Sequence, residues 1–201
     1  MQKEIKQLSA LMKYGKDLRL AAEKWESDYE TLFATILSAR TRDEITILVS
    51  KELFKKYGSV KKLAKAELND IEKLIRPINF YKTKSRNILN CSKEIIKLYQ
   101  GEIPHDFEKL TKLSGVGRKT ANVFLAVIGR PSIGVDTHVS YISQKLDWTE
   151  NTNPHKIEKD LQKLFPKKHW RNLNYIVVRF GRTHTSRKEK DMLLEKIKKI
   201  K

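Results

Sequence analysis

The sequence predicts an all-α fold, on three observations. Apolar side chains recur at steps of three and four residues through most of the chain, which places them on one face of a helix. The alternation of apolar and polar residues that marks a half-buried strand is absent. Proline and glycine divide the helical stretches at intervals, and we count about ten helices between these breaks.

The helices are predicted in order along the chain. Their spacing is clearest over residues 32–37, 45–54 and 88–98. Short apolar runs near Ile133 and at 176–178 are ambiguous, but we assign both to longer helical windows. The last segment, 186–201, predicts a charged helix with one apolar face. Glycine, proline or both mark the breaks at 57–59, 76–77, 101–104, 129–132 and 151–154.

The composition of the chain limits the classes of binding partner that we expect. The 201 residues are 39% hydrophobic and contain no apolar run long enough to span a membrane. The first residues lack the apolar core of a signal peptide, so we expect a cytoplasmic protein. The net charge of +18 favours a polyanion. A general lysine bias of the source organism is the alternative, and an anionic membrane is less favoured because no basic helix with a Trp/Phe/Leu face stands out.

The chain has one cysteine, Cys91. One thiol cannot form an internal disulfide, and an iron–sulfur cluster needs about four thiolates. Cys91 lies in a helical pattern and is predicted to be a small core residue. No Cys/His spacing indicates zinc, so we expect no metal or organic cofactor.

The most informative stretch is Leu-Ser-Gly-Val-Gly-Arg-Lys-Thr-Ala-Asn at 113–122. Gly115 and Gly117 predict a turn whose backbone can approach a ligand closely, with an ordinary helix–helix turn as the alternative. The following helix presents backbone N–H groups and a positive dipole end, which bind phosphate. The motif also supplies an amine at Lys119 and, 17 residues further on, a carboxylate at Asp136.

Lys119 and Asp136 are the candidate catalytic residues. Lys119 lies in the first turn of the predicted helix beside Arg118, where the dipole and the neighbouring cation lower its pKa and favour nucleophilic attack. A phosphate contact is the alternative role. Asp136 opens a helical pattern and is a candidate N-cap. Capping is compatible with a catalytic carboxylate that stabilises positive charge and moves a proton.

Residues 115–122, with Val-Asp-Thr-His at 135–138, resemble the helix-hairpin-helix motif and catalytic aspartate of the endonuclease III family. That family comprises base-excision DNA glycosylases with AP lyase activity. The resemblance implies that Lys119 is the Schiff-base nucleophile and Asp136 its catalytic partner. It implies a monomer that acts on double-stranded DNA containing a damaged base, such as an oxidised pyrimidine, or an abasic site.

The resemblance also implies two helical lobes with the active site in the cleft between them. A six-helix barrel would cover 26–131, with the helix-hairpin-helix motif at about 108–128. Residues 1–25 and 132–201 would form the second lobe. Many family members end in four cysteines that bind a 4Fe–4S cluster. Here Thr185 stands at the first of these positions, so we expect no cluster and a C-terminal helix in its place.

Two further positions resemble the residues that fill the DNA stack when a base is flipped out. Arg40 stands where the family has a gap-filling glutamine, and Phe80 where it has a leucine wedge. The alternatives are a surface charge for Arg40 and a core aromatic for Phe80. Asp43 and His138 are candidates for the pocket, although Asp43 would also suit a helix cap and a lone histidine is more often structural.

The remaining predicted site residues concern the DNA backbone and a cation. Main-chain carbonyls of such hairpins hold a monovalent cation in the family, which implies Leu113, Gly115 and Val116 here. Residues predicted to contact DNA phosphates are Gly115, Val116, Gly117, Arg118, Lys82 and Lys84.

Other functions stay open on the sequence. A monofunctional glycosylase that uses activated water generally lacks a lysine at the position of Lys119. A glycosylase for another lesion, such as an oxidised purine, or a lyase acting only on abasic sites would keep it. A non-catalytic helix-hairpin-helix module would need Gly115 and Gly117 but not Asp136.

Overall fold

The computed structural model describes residues 2–201, and within that range all the regular secondary structure is helical. The all-α prediction is confirmed. None of the described helices is long and apolar enough to cross a membrane. In chain order the helices are α1 (Gln2–Tyr14), α2 (Asp28–Ser38), α3 (Asp43–Lys56), α4 (Val60–Ala64), α5 (Leu68–Leu74), α6 (Tyr81–Tyr99), α7 (Phe107–Leu110), α8 (Arg118–Val127), α9 (Thr137–Lys145), α10 (Pro154–Leu164), α11 (Lys167–Thr183) and α12 (Arg187–Lys198).

The helices end and begin at the predicted breaks. Ser59 caps α4 by accepting a hydrogen bond from the backbone N–H of Lys62, and Asn153 caps α10, which begins with Pro154. Helix α6 ends at Tyr99, where Gln100 and then Gly101 adopt left-handed backbone conformations.

The assignment of Ile133 to a helix is wrong. Ile133 lies in the extended segment between α8 and α9, with its side chain fully buried. Pro131 disfavours helical geometry at the residue before it and has no N–H for a helical hydrogen bond. The apolar run is therefore a buried connection. The other ambiguous run, at 176–178, lies inside α11 as predicted.

The chain divides into two compact units. One contains residues 19–128, which carry α2 to α8, and the other contains residues 2–18 with 129–201, which carry α1 and α9 to α12. The domain assignment made from the sequence, with a barrel over 26–131, stays a prediction.

The core of the unit 19–128 is built around α2 and α6. Helix α2 packs on α3 and α8, and α4 and α5 pack on α6. Phe33 from α2 and Phe124 from α8 are fully buried. Cys91 is also fully buried in α6, which confirms its predicted place in the core.

The other unit is organised around α11, which packs on α1 and α9. The predicted C-terminal helix is present as α12, and it packs on the same two helices. Gln7 links this arrangement, because it accepts a hydrogen bond from the Trp148 indole and donates to the carbonyls of Ile197 and Lys198 at the end of α12.

Candidate active site

The glycine turn lies between α7 and α8, and Gly115 is required by the fold itself. Its φ of +78° is in the left-handed region that glycine adopts without strain. A Cβ at this position would also lie 2.9 Å from the Cβ of Asn87 in α6. Any other residue at Gly115 would have to displace α6 as well as strain the turn.

Gly117 differs, because nothing in its surroundings requires a glycine. Its φ is −83°, and an added Cβ would meet no atom within 4 Å. It is the N-cap of α8 and, having no side chain, cannot cap the first N–H groups of that helix. The backbone is thus open to a close approach from outside at the helix end that favours an anion.

Helix α6 holds the turn in place. The carboxylate of Glu94 accepts hydrogen bonds from both the backbone N–H and the hydroxyl of Ser114, each at 2.7 Å. The carbonyl of Leu113 accepts from the Val116 N–H at 3.1 Å, and both side chains are buried. Local hydrogen bonding and burial therefore hold the backbone of the predicted cation site, while cation binding there stays a prediction.

Arg118 and Lys119 are the first two residues of α8, and both are half-buried. The guanidinium of Arg118 lies over the Phe107 ring, 4.6 Å from its centroid, which orients the side chain beside the turn. Lys119 is the second residue after the Gly117 cap, so its amine is carried on the first turn of the helix end that the turn leaves open.

Asp136 is the N-cap of α9, as the pattern predicted. Its Oδ1 accepts a hydrogen bond of 2.8 Å from the backbone N–H of Val139. The side chain is half-buried, and the cap uses only one of its two oxygens. Capping fixes the rotamer of the carboxylate, so the same bond that stabilises α9 also orients Oδ2.

The two candidate pocket residues are firmly packed. The Nδ1 of His138 would lie 2.4 Å from a Cβ at Gly181, so the absence of a side chain on α11 makes room for the imidazole. Asp43 is 6% exposed and is the first residue of α3, whereas Arg42 is its N-cap. The interpretation of Asp43 as a cap is wrong by one position, and the pocket roles of both residues stay predictions.

The structure brings Arg40 and Phe80 together, although they lie far apart in sequence. The Arg40 guanidinium is 4.9 Å from the centroid of the Phe80 ring. Phe80 is 57% exposed, which rules out the core aromatic considered as its alternative. Both have left-handed backbone conformations, with φ of 55° and 60°. Such conformations are unfavourable for residues with side chains and are concentrated at functional sites.

Lys84 does not have the position expected of a phosphate contact. It is 6% exposed, and its ammonium donates to the carbonyls of Leu37 and Ala39 and to the hydroxyl of Thr41. The ammonium has three N–H donors, and these three acceptors occupy all of them, so none remains for a DNA phosphate. The sequence indicated the positive charge of Lys84 but not the burial of its side chain. Lys82, two residues earlier on α6, is exposed, and its contact with a DNA phosphate stays a prediction.

The residues of this chain do not fit a 4Fe–4S cluster of the kind many relatives of similar sequence carry. Such a cluster needs about four thiolates, and the chain has one cysteine, buried in α6. At the predicted position of the first ligand, Thr185 and Ser186 precede α12. Over residues 2–201 no group of three or more His, Cys, Asp or Glu is arranged to hold a metal ion.

Comparisons with known proteins agree on a family. Residues 33–167 match the HhH-GPD superfamily of base excision DNA repair proteins. The endonuclease III of Thermotoga maritima is 42% identical over 155 residues, which cover 77% of this chain and 73% of the relative. That of Synechocystis sp. is 41% identical over 161 residues, which cover 77% and 74% respectively.

Solved structures give the same result. A trapped endonuclease III–DNA covalent intermediate matches with a TM-score of 0.85 and 36% identity, over 92% of this chain and 87% of the other. A thermostable thymine-DNA glycosylase matches with a TM-score of 0.80 at 19% identity, a likeness that concerns the fold alone.

Proposed function

Because this chain belongs to the endonuclease III family within the HhH-GPD superfamily, we propose that it is a base-excision DNA glycosylase with AP lyase activity. The observation that carries the proposal is Lys119, which lies in the first turn of α8, two residues after an open glycine cap. A helix-hairpin-helix module that only binds DNA would use Lys119 as a phosphate contact and would not need the carboxylate of Asp136. A relative has been captured as a covalent intermediate with DNA, which requires a nucleophile on the protein.

The proposed substrate is duplex DNA with an oxidised pyrimidine such as thymine glycol. The target nucleotide leaves the stack, at a cost of a few kcal/mol, because its sugar carbon is otherwise out of reach. Arg40 and Phe80 offset that cost by occupying the gap, the ring by stacking and the guanidinium by pairing with the orphaned base. The turn at Gly117 binds a backbone phosphate, with Lys82 as a further contact.

Two chemical steps follow. The neutral amine of Lys119 attacks C1′ of the sugar, the bond from C1′ to the base breaks, and the base leaves with the electron pair and takes one of the two amine protons. The sugar ring then opens, its oxygen O4′ takes the second amine proton, and an imine remains between Lys119 and C1′. The imine accepts the electrons released when the 2′ proton is removed, and the 3′ phosphate leaves by β-elimination.

Asp136 supports both steps in this proposal. A carboxylate stabilises the positive charge that develops on the sugar as the base departs. It also accepts or returns protons as Lys119 changes between ammonium, amine and imine. Its capping bond to Val139 keeps the carboxylate oriented, so the residue needs little reorganisation during the reaction.

The chemistry of the proposed enzyme needs no metal or organic cofactor, since its nucleophile and its proton acceptor are side chains, and one cysteine is too few for a 4Fe–4S cluster. The C-terminal helix α12 packs on α1 and α9. We further propose that the protein acts as a monomer in the cytoplasm, on DNA.

Borohydride trapping tests the lyase step. Borohydride reduces an imine to a stable amine, so the wild-type protein should become cross-linked to a duplex with one abasic site. Lys119→Gln should abolish the cross-link while retaining DNA binding. Lys93→Gln, which removes an exposed charge from α6, is the matched control and should cross-link normally. Tight binding by the wild type without any cross-link would favour a water-using glycosylase or a binding module.

A damaged-base panel then separates the remaining candidates. Duplexes with thymine glycol, with an oxidised purine or with an abasic site should be incised in a single turnover, and thymine glycol should be the preferred damaged base. Incision of the abasic duplex alone would identify a lyase without glycosylase activity. Preference for the purine would change the proposed lesion but not the role of Lys119.

A further inference from the structure

The buried ammonium of Lys84 lies at the end of α2, where that helix leaves carbonyl groups without helical partners. Its Nζ is 2.7 Å from the carbonyl oxygen of Leu37 and 2.5 Å from that of Ala39. A positive charge at a helix C-terminus also complements the helix dipole. Lys84 therefore caps α2 from another helix, which brings α6 into direct contact with the loop that carries Arg40.

The same lysine contacts the Phe80 turn. Its backbone N–H donates to the carbonyl of Phe80 at 3.0 Å, as part of the first turn of α6. Its side chain reaches the Arg40 loop on both sides, at Ala39 and at the Thr41 hydroxyl. One residue thus holds the two segments that present Arg40 and Phe80.

Asn79 and Thr41 also join the Arg40 loop to the Phe80 turn. The side-chain amide of Asn79 donates to the carbonyl of Arg40 at 2.5 Å, and its backbone N–H donates to the Thr41 hydroxyl at 3.2 Å. That hydroxyl also accepts from Lys84, so it joins the two loops and the lysine. The hydrogen bonds of Asn79 and Thr41 therefore lie at or next to Arg40 and Phe80, the two residues with left-handed backbones. The contacts explain how left-handed conformations persist at both.

We infer that Lys84 is a positioning residue, which keeps Arg40 and Phe80 stacked and directed outward before DNA arrives. The inference rests on the proposed function, in which this pair fills the gap left by a flipped base. At neutral pH the side chain is an ammonium with three donors, since burial lowers its pKa only to about 8. A preorganised pair avoids the entropy cost of ordering two loops during binding.

The inference makes a distinction between substrates. A base in single-stranded DNA has no opposite partner and needs no wedge, whereas a nucleotide in a duplex must be flipped out. Loss of Lys84 should therefore impair reaction at an abasic site in a duplex and spare the same site in a single strand. A general loss of structure would impair both.

The experiment compares borohydride trapping rates on the two substrates for wild type, Lys84→Met and Lys93→Met. Lys84→Met removes the ammonium at nearly constant side-chain length, and Lys93→Met makes the same change at an exposed site on the same helix. We expect the duplex rate of Lys84→Met to fall by about tenfold or more, because positioning errors of this kind are costly. Its single-strand rate should change by less than about twofold, as should both rates of Lys93→Met.

Equal losses on the two substrates, or no loss on either, would overturn the positioning role. A wild-type protein that cross-links to neither substrate would overturn the proposed function itself, and this inference with it. If Lys84→Met does not fold, Thr41→Val carries the test. It preserves shape while removing the hydroxyl shared by Lys84 and Asn79, and the same selective loss on duplex DNA is expected.

Amide hydrogen exchange supplies a readout that does not depend on activity. Lys84→Met should accelerate exchange over residues 39–43 and 79–81, where the connection is made. Exchange over 114–120 should stay unchanged, since Asn87 and Glu94 support that turn independently of Lys84. Acceleration in all three segments would indicate a general structural role and contradict the inference.

Discussion

At the scale of single residues, Gly115 and Gly117 have different reasons to be glycine. Gly115 has a left-handed backbone and no room for a Cβ beside Asn87, whereas Gly117 has ordinary dihedral angles and open space. The first is required by folding. The second has no folding requirement, which is what a site of close contact with another molecule would show.

Alanine at each glycine should therefore give opposite results. Gly115→Ala should destabilise the protein by about 1–2 kcal/mol from backbone strain alone, and by more from the contact with Asn87. Gly117→Ala should change stability by less than about 1 kcal/mol, because alanine restricts the unfolded chain but is a poorer N-cap than glycine. It should nevertheless weaken DNA binding. Thermal unfolding and titration with duplex DNA check both, and normal binding by Gly117→Ala would contradict the phosphate contact.

Lys84 should leave a pH signature in stability. Burial lowers its pKa from 10.5 to about 8, so between these values the unfolded chain holds a proton that the folded chain has released. Stability therefore rises with pH across that window. The cost of burying the ammonium applies in full below about pH 8 and disappears above about pH 10.5.

The measurement is the difference in unfolding free energy between wild type and Lys84→Met as a function of pH. That difference should move in favour of the wild type between about pH 8 and 10.5, by at most about 3 kcal/mol. Subtracting the variant removes the titration of other groups common to both proteins. A difference that is constant with pH, or that falls, would show that burial does not depress the pKa of Lys84.

These residues also mark the limit of prediction from sequence. Asp136 was predictable as a cap because capping is local and involves a donor three residues away. The burial of Lys84 and the stacking of Arg40 on Phe80 depend on contacts between residues about forty positions apart, which no local pattern encodes. Contact with phosphate is the ordinary expectation for a lysine in a basic protein, whereas Lys84 is buried and bonded to the loop after α2.

At the scale of helices, local signals were sufficient where proline, glycine or a capping side chain sets a boundary. Asn153 with Pro154 and Ser59 both begin helices at predicted breaks. The failure at Ile133 has a different cause, since apolar spacing reports burial and does not distinguish a buried helix from a buried connection. The short helices α4 and α7, of five and four residues, are too brief for a periodic pattern.

Helix α12 occupies the segment in which the family resemblance expects cluster cysteines and this chain has none. Leu194 and Ile197 are its buried residues, and Asp191 accepts hydrogen bonds from Tyr141 and Lys145 of α9. Its apolar face and these polar contacts hold α12 on α9.

Truncation of Leu194 should accordingly be costly. Leu194→Ala should lower the unfolding free energy by about 2–5 kcal/mol, the range for a buried leucine. Met192→Ala, at a 54% exposed position on the same helix, is the matched control and should change it by less than about 0.5 kcal/mol. Thermal unfolding checks both variants. Equal and small effects would show that α12 contributes little to its unit.

At the scale of the whole molecule, the excess of 42 basic over 24 acidic residues determines how the protein meets DNA. Such a field accelerates capture of a polyanion and supports binding that does not depend on sequence. A repair enzyme must inspect many undamaged sites, and phosphate contacts that carry no sequence information suit that search. In the proposed mechanism, Arg40, Phe80 and Lys119 then act only where a nucleotide can leave the stack.

The salt dependence of DNA binding tests the contribution of these phosphate contacts. If about five phosphates are neutralised, log K for undamaged duplex should fall with log salt at a slope near −4.5. Lys82→Met should reduce the steepness by about 0.9, because it removes one phosphate contact. Lys73→Met makes the same change at an exposed site on α5 and should leave the slope unaltered. A slope near zero would mean that the basic charge reflects lysine-rich composition and does not serve DNA binding. Equal effects of the two variants would mean that charge acts through the total and not through Lys82.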